Sequence, residues 1–154
     1  MNPHDVILSP VLSEKAIGTI EAGKYAFYVH PDANRSQVSG IGTFCVTPAG
    51  AHSTNAGGKG DARWVTGNAH DEKGMVLAYQ VQKSLTEDLH CDDRGVRRAR
   101  YQVLREARMP AILIEGGFLS NPAEGRKIAE ASYRRRMARA IAQGILAYQR
   151  IVKK

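Results

Sequence analysis

The twelve residues AILIEGGFLSNP, 111–122, constrain what this chain can fold into more tightly than any other stretch. Ala111 to Glu115 read as a short buried strand, with Pro110 before it, long or branched apolar side chains inside it, and Gly116 and Gly117 closing it. An ionisable group, Glu115, therefore stands at the mouth of a core strand. If the strand is parallel, it ends in the crevice beyond the carboxyl ends of the strands, where α/β proteins collect reacting groups. A carboxyl held there without a partner is desolvated, and its pKa rises toward the range useful to a general base or acid. The competing reading is an ion pair between Glu115 and a nearby arginine, which perturbs a pKa without any chemistry.

A chain of 154 residues suits one domain with a real core. Cys45 and Cys91 lie in different segments without CxxC spacing, so they define neither a bridge framework nor a zinc knuckle. The net charge of +7 is unevenly placed: residues 123–154 hold nine Lys or Arg against Glu124 and Glu130, while residues 1–122 balance. That field suits nucleic acid, an acidic wall polymer or plain solvent. No apolar run approaches a membrane-spanning length, and MNPHDV lacks the flanks of a signal peptide, which taken literally reads as cytoplasmic.

In chain order, residues 5–20 open with a strand-like run and turn helical from Ser13, a plausible N-cap. Tyr25 to Val29 is a second strand, with His30 at its end as either a metal ligand or hydrogen-bonded scaffolding. Ile41 to Thr47 is a third. A long Gly-, Ala- and Asn-rich loop follows, in which Trp64 is a lid, a substrate platform or a core anchor. His52 and His70 match no metal spacing, and GGKG at 57–60 lacks the frame of a phosphate-binding loop. From Asp71, a candidate N-cap, to His90 the pattern is helical, with Leu77, Ala78, Val81, Leu85 and Leu89 on one side. CDDRGVRRAR reads as a charged connector whose Arg94, Arg97, Arg98 and Arg100 either grip a carboxylate or phosphate or face solvent. Tyr101 to Leu104 reads as a short strand. After Asn121 and Pro122 the pattern gives two helices broken near Ser132. The second carries a stripe of Met137, Ile141, Ile145, Tyr148 and Val152 that should pack on the sheet, opposite Arg135, Arg139 and Arg150.

Two resemblances cover different parts of the chain. SGIGTFCVTPAG with STN, the helix VLAYQVQKSL, and DRGVRRARYQVLREARMPAILIEGGFLSNPAEGRKIAE with the final helix resemble, over residues 37–151, a zinc-dependent N-acetylmuramoyl-L-alanine amidase. NPHDVILSPVLSEKA and KYAFYVHPDANRSQ, within residues 1–37, resemble the start of bacterial large-subunit ribosomal protein L23, which binds 23S rRNA. The chain thus reads as a ribosomal-protein-like segment, 1–37, joined to an amidase-like body, 38–154, packed as one compact domain.

The first resemblance implies an α/β fold, a twisted mixed sheet flanked by helices, with the opening of the family domain missing. It also implies hydrolysis of peptidoglycan at the amide between the muramic acid lactyl group and L-alanine, and action in the periplasm or cell envelope. In that family the glutamate before GGFLSN is catalytic, which maps onto Glu115. A zinc-binding histidine at a strand end before an asparagine-containing turn maps onto His30, whereas the family's earlier histidine and glutamate have no secure match here. Arg97 is the candidate to meet a peptide carboxylate. The second resemblance implies an alternative, an rRNA-binding module acting through phosphate contacts, although residues 1–37 hold only three Lys or Arg. A third reading is a folded but inactive body.

Overall fold

The computed structural model describes residues 7–10, 27–29, 39–54 and 60–153. The chain divides into two compact units, Met1–Val38 and Ser39–Lys154. In the first, β1 (Ile7–Pro10) pairs antiparallel with β2 (Phe27–Val29), Pro10 opposite Phe27 and Ile7 opposite Val29. The helix expected from Ser13 lies outside the described residues.

The second unit is built on β3 (Ile41–Val46), every residue of which is buried. A strand covered on both faces is rich in β-branched and aromatic side chains, and IGTFCV fits that rule. On one side β3 pairs parallel with β4 (Asp93–Ala99), on the other antiparallel with β5 (Leu113–Glu115), giving a mixed sheet of order β4-β3-β5. The chain passes from β3 through a 3-10 turn (Thr66–His70) into α1 (Asp71–Leu89) and back to β4. Parallel neighbours cannot be joined by a hairpin, and α1 supplies the long crossover they need. A short α2 (Gln102–Arg105) precedes β5; α3 (Pro122–Ala129) and α4 (Ala131–Val152) end the chain.

Alternation along β3 sorts the core into two layers. Ile41 faces Val81, Leu85 and Leu89 of α1 and Ala140 of α4. Phe44 and Val46 face the other way, against Ala99 and Leu104. Each fully buried Leu, Val or Phe here is worth about 1.5–3 kcal/mol relative to exposure. A polar seam crosses the first layer: Gln82 Nε2 donates to Ile41 O at 2.8 Å and to Asp93 Oδ1 at 2.5 Å, while its Oε1 accepts from Thr43 Oγ1 at 2.8 Å.

Several expectations are corrected. The 93–99 segment is a strand, not a connector. Its Arg98 is exposed and its Arg97 buried, so arginine stems fill places where a strand pattern looks for apolar residues. Thr54 bonds both the N–H and the C=O of Arg98, closing part of the outer edge of β4. Residues 102–105 are helical rather than extended. Asp71 is the first helical residue rather than the cap, and its carboxylate accepts from Asn68 Nδ2 at 3.0 Å. The α4 stripe packs chiefly on α1, not on the sheet. Ala140 and Gly144 sit at that contact, leaving Ile145 and Val152 exposed. The cause is Gly144: a Cβ there would stand 2.5 Å from Val81 Cα, so the helices approach at the glycine and the flanking large residues roll outward. The division of α3 from α4 at Glu130 agrees with the expected break.

Candidate active site around Glu115

β5 is shorter than the sequence suggested and antiparallel to β3, so the parallel-strand argument for Glu115 does not hold; its place follows from register instead. Glu115 pairs with Gly42 of β3. A Cβ on Gly42 would lie 3.4 Å from Arg94 Cβ and 3.8 Å from Arg97 Nε, so Glu115 and two arginines of β4 converge over a residue without a side chain. Burial pushes the Glu115 pKa up, and the Arg94 and Arg97 guanidinium groups pull it back down.

Arg94 lies over the Phe118 ring at 4.5 Å, and its Nε and Nη1 are buried without a hydrogen-bond partner among the described residues. Burial lowers its pKa, against the pull of Glu115 and Glu124. Arg97 is only 6% exposed; its Nε donates to Arg94 O at 3.1 Å and its guanidinium stands 5.9 Å from the centre of the Phe44 ring. Burial lowers its pKa first, then repulsion from Arg94, with Glu115 opposing. A half-buried cation, Arg94, and a buried one, Arg97, thus act on the one carboxylate of Glu115.

The loop after Glu115 is held by Glu124, a residue that sequence reasoning counted only as charge. Asn121 caps α3 through Oδ1, which accepts from Ala123 N at 3.0 Å and Glu124 N at 3.3 Å. Glu124 Oε2 accepts from Phe118 N at 2.8 Å and Oε1 from Gly40 N at 2.7 Å. Gly117 has φ +126°, and a Cβ there would meet Glu124 Oε2 at 3.2 Å, so glycine is required twice over. The missed signal was the N-x-x-E spacing of Asn121 and Glu124.

Of the three residues singled out in advance, the structure brings Glu115 and Arg97 together, and His30 lies outside the described residues. Among the described residues no group of three or more His, Cys, Asp or Glu side chains fits a metal ion. Trp64 is 65% exposed, which rules out a core anchor. Arg100 is held by Asp61 at 3.4 Å and by the carbonyls of Asp61 and Arg63. Of GGKG only Gly60 is described.

A half-buried carboxyl thus stands at a strand end beside two guanidinium groups, in an α/β sheet-and-helix unit. An N-acetylmuramoyl-L-alanine amidase of Clostridium difficile 630 superposes with a TM-score of 0.57 at 32% identity, over 78% of this chain and 52% of that one. The N-acetylmuramoyl-L-alanine amidase family matches residues 16–147, and the chain belongs to it. An uncharacterized cell wall amidase of Bacillus anthracis is 42% identical over 81 residues, 53% of this chain and 15% of that protein. Large ribosomal subunit protein uL23 of Rhodococcus jostii is 44% identical over 61 residues, 38% of this chain and 59% of that protein. The chain therefore spans about half of the solved amidase and a small part of the cell wall amidase it matches.

Proposed function

We propose that the chain hydrolyses the amide between the muramic acid lactyl group and L-alanine in peptidoglycan, at the cell envelope, with Glu115 as general base and then general acid. Supporting the reading is one observation above all: the glutamate that the amidase resemblance marks as catalytic is the carboxyl that burial makes more basic, at the end of β5 and paired with Gly42 of β3. Glu115 takes the proton of the attacking water and delivers it to the leaving amine. The flanking guanidinium groups favour its ionised form, the form a base needs. Arg97, nearly buried, contributes positive field that draws a peptide carboxylate toward the site.

Zinc belongs to the proposal as the metal implied by the amidase resemblance, with His30 as its one proposed ligand. The described residues supply no cluster that fits it. No helix among the described residues is long and apolar enough to cross a membrane. The uL23 similarity covers 38% of the chain, whereas the amidase family match spans residues 16–147, which favours the amidase reading.

The test is release of L-alanine-terminated peptides from purified muropeptides by the wild-type chain and by Glu115→Gln, with zinc content measured beside His30→Ala. The expected result is hydrolysis lost in Glu115→Gln with the fold retained, and bound zinc lost in His30→Ala. Hydrolysis that persists in Glu115→Gln refutes the assignment of the base.

A further inference from the structure

We infer that Glu124 is a positioning residue for Glu115, holding the loop beyond the carboxylate to the start of β3. The inference rests on the proposed role of Glu115 as general base.

An Asn-x-x-Glu spacing at a helix start normally forms a capping box, in which the Glu side chain turns back to the N–H of the cap residue. Here the Asn121 N–H donates instead to Phe118 O at 3.1 Å, which frees the Glu124 carboxylate for two other donors. Those donors, the N–H groups of Phe118 and Gly40, lie 6 and 84 residues away in sequence. Phe118 is three residues beyond Glu115, and Gly40 is two residues before Gly42, the strand partner of Glu115. One carboxylate therefore ties together the two chain segments that meet at the site, both of them beyond the same end of the Gly42–Glu115 pair.

Physical chemistry favours this clasp. Hydrogen bonds to an ionised acceptor are roughly twice as strong as neutral ones. The charge sits in the first turn of α3, where the helix dipole favours an anion. The span it controls contains Gly116 and Gly117, which hold their conformation only if something outside them does. Phe118, fixed by the clasp, carries Arg94 on its ring, and Arg94 in turn acts on Glu115. Loss of the clasp displaces the loop and the cation together, and a misplacement of about 1 Å costs on the order of a hundredfold in rate.

The experiment uses the full chain with Glu124→Gln, which keeps the shape and one acceptor, and Glu124→Ala. Positioning predicts that kcat per folded molecule falls by about tenfold or more while KM stays within about twofold, and that the acid limb of the kcat–pH profile is displaced, because the burial and the Arg94 charge that act on Glu115 both change. A merely structural cap predicts a lower Tm with kcat per folded molecule and the acid limb both unchanged, and that result overturns the inference. If the wild-type chain shows no hydrolysis, the amidase reading fails and this one is judged by NMR. Faster amide exchange at Phe118 and Gly40, with a displaced Glu115 titration midpoint in Glu124→Gln, supports it; unchanged exchange and midpoint refute it. Glu124→Gln carries the test if Glu124→Ala does not fold.

Discussion

Replacing Gly144 by alanine should destabilise the chain, whereas the same replacement at Gly74 should stabilise it. Both glycines lie inside helices, where exchange for alanine gains about 0.5–1 kcal/mol of backbone and propensity free energy. At Gly74 the nearest heavy atom to the new Cβ is Ala111 O at 3.8 Å, an ordinary contact, so the gain survives. At Gly144 the Cβ meets Val81 Cα at 2.5 Å, Gln80 O at 2.9 Å and Val81 N at 2.9 Å. These are backbone atoms of α1 and cannot rotate aside, so the two helices must separate by most of an ångström. Separation loosens the layer of Ile41, Val81, Leu85 and Ala140. Overpacking of this kind costs about 1–3 kcal/mol, and here the upper end applies, which leaves a net loss of about 2 kcal/mol after the propensity gain. For a unit of this size that lowers Tm by about 8 °C, against a rise of about 3 °C for Gly74→Ala. Thermal unfolding followed by far-UV circular dichroism, with urea midpoints as a check, measures both. A Gly144→Ala chain that melts at or above the wild-type temperature would refute the packing argument, because nothing else in the reasoning can offset the clash.

The remaining expectations concern polar groups. Because the folded-state pKa of Glu115 lies above its unfolded value, the folded state binds the extra proton, and stability falls as pH rises from the unfolded pKa through the folded one. Glu115→Gln, which has no charge to desolvate, should be more stable than wild type at pH 7 and equal to it near pH 3; equal melting curves at both pH values count against a buried carboxyl. Gln82→Leu leaves the buried Thr43 hydroxyl and Ile41 carbonyl without the bonds they make to Gln82, so it should cost about 2–4 kcal/mol in urea denaturation, and a loss below 1 kcal/mol contradicts the seam. Arg94→Met keeps an apolar contact with Phe118 while removing a charge beside Glu115, so the Glu115 midpoint should rise further, and an NMR titration showing no rise removes Arg94 from the site.

Local sequence determined α1 and the α3–α4 pair. Leu77 to Leu89 and Met137 to Tyr148 repeat at helical spacing, and Asn121 with Pro122 marks a helix start by side-chain chemistry that acts within one turn. The buried run of β3 and the carboxyl at the end of β5 were equally legible, since each depends on neighbours in sequence. β4 was not legible. Its extended backbone is imposed by pairing with β3, and its buried positions include the stem of Arg97, whose burial requires Phe44 from a strand some fifty residues earlier. The direction of β5 was hidden for the same reason, because a three-residue strand carries no mark of parallel or antiparallel pairing until its partner is known. Gly74 and Gly144 look alike in sequence, and only the approach of α1 to α4 separates a replaceable glycine from an essential one. Glu124 shows the division most plainly. The sequence supplied a capping-box spacing, which is local, while the donors its carboxylate chose, Phe118 and Gly40, were decided by which N–H groups the tertiary fold left in reach.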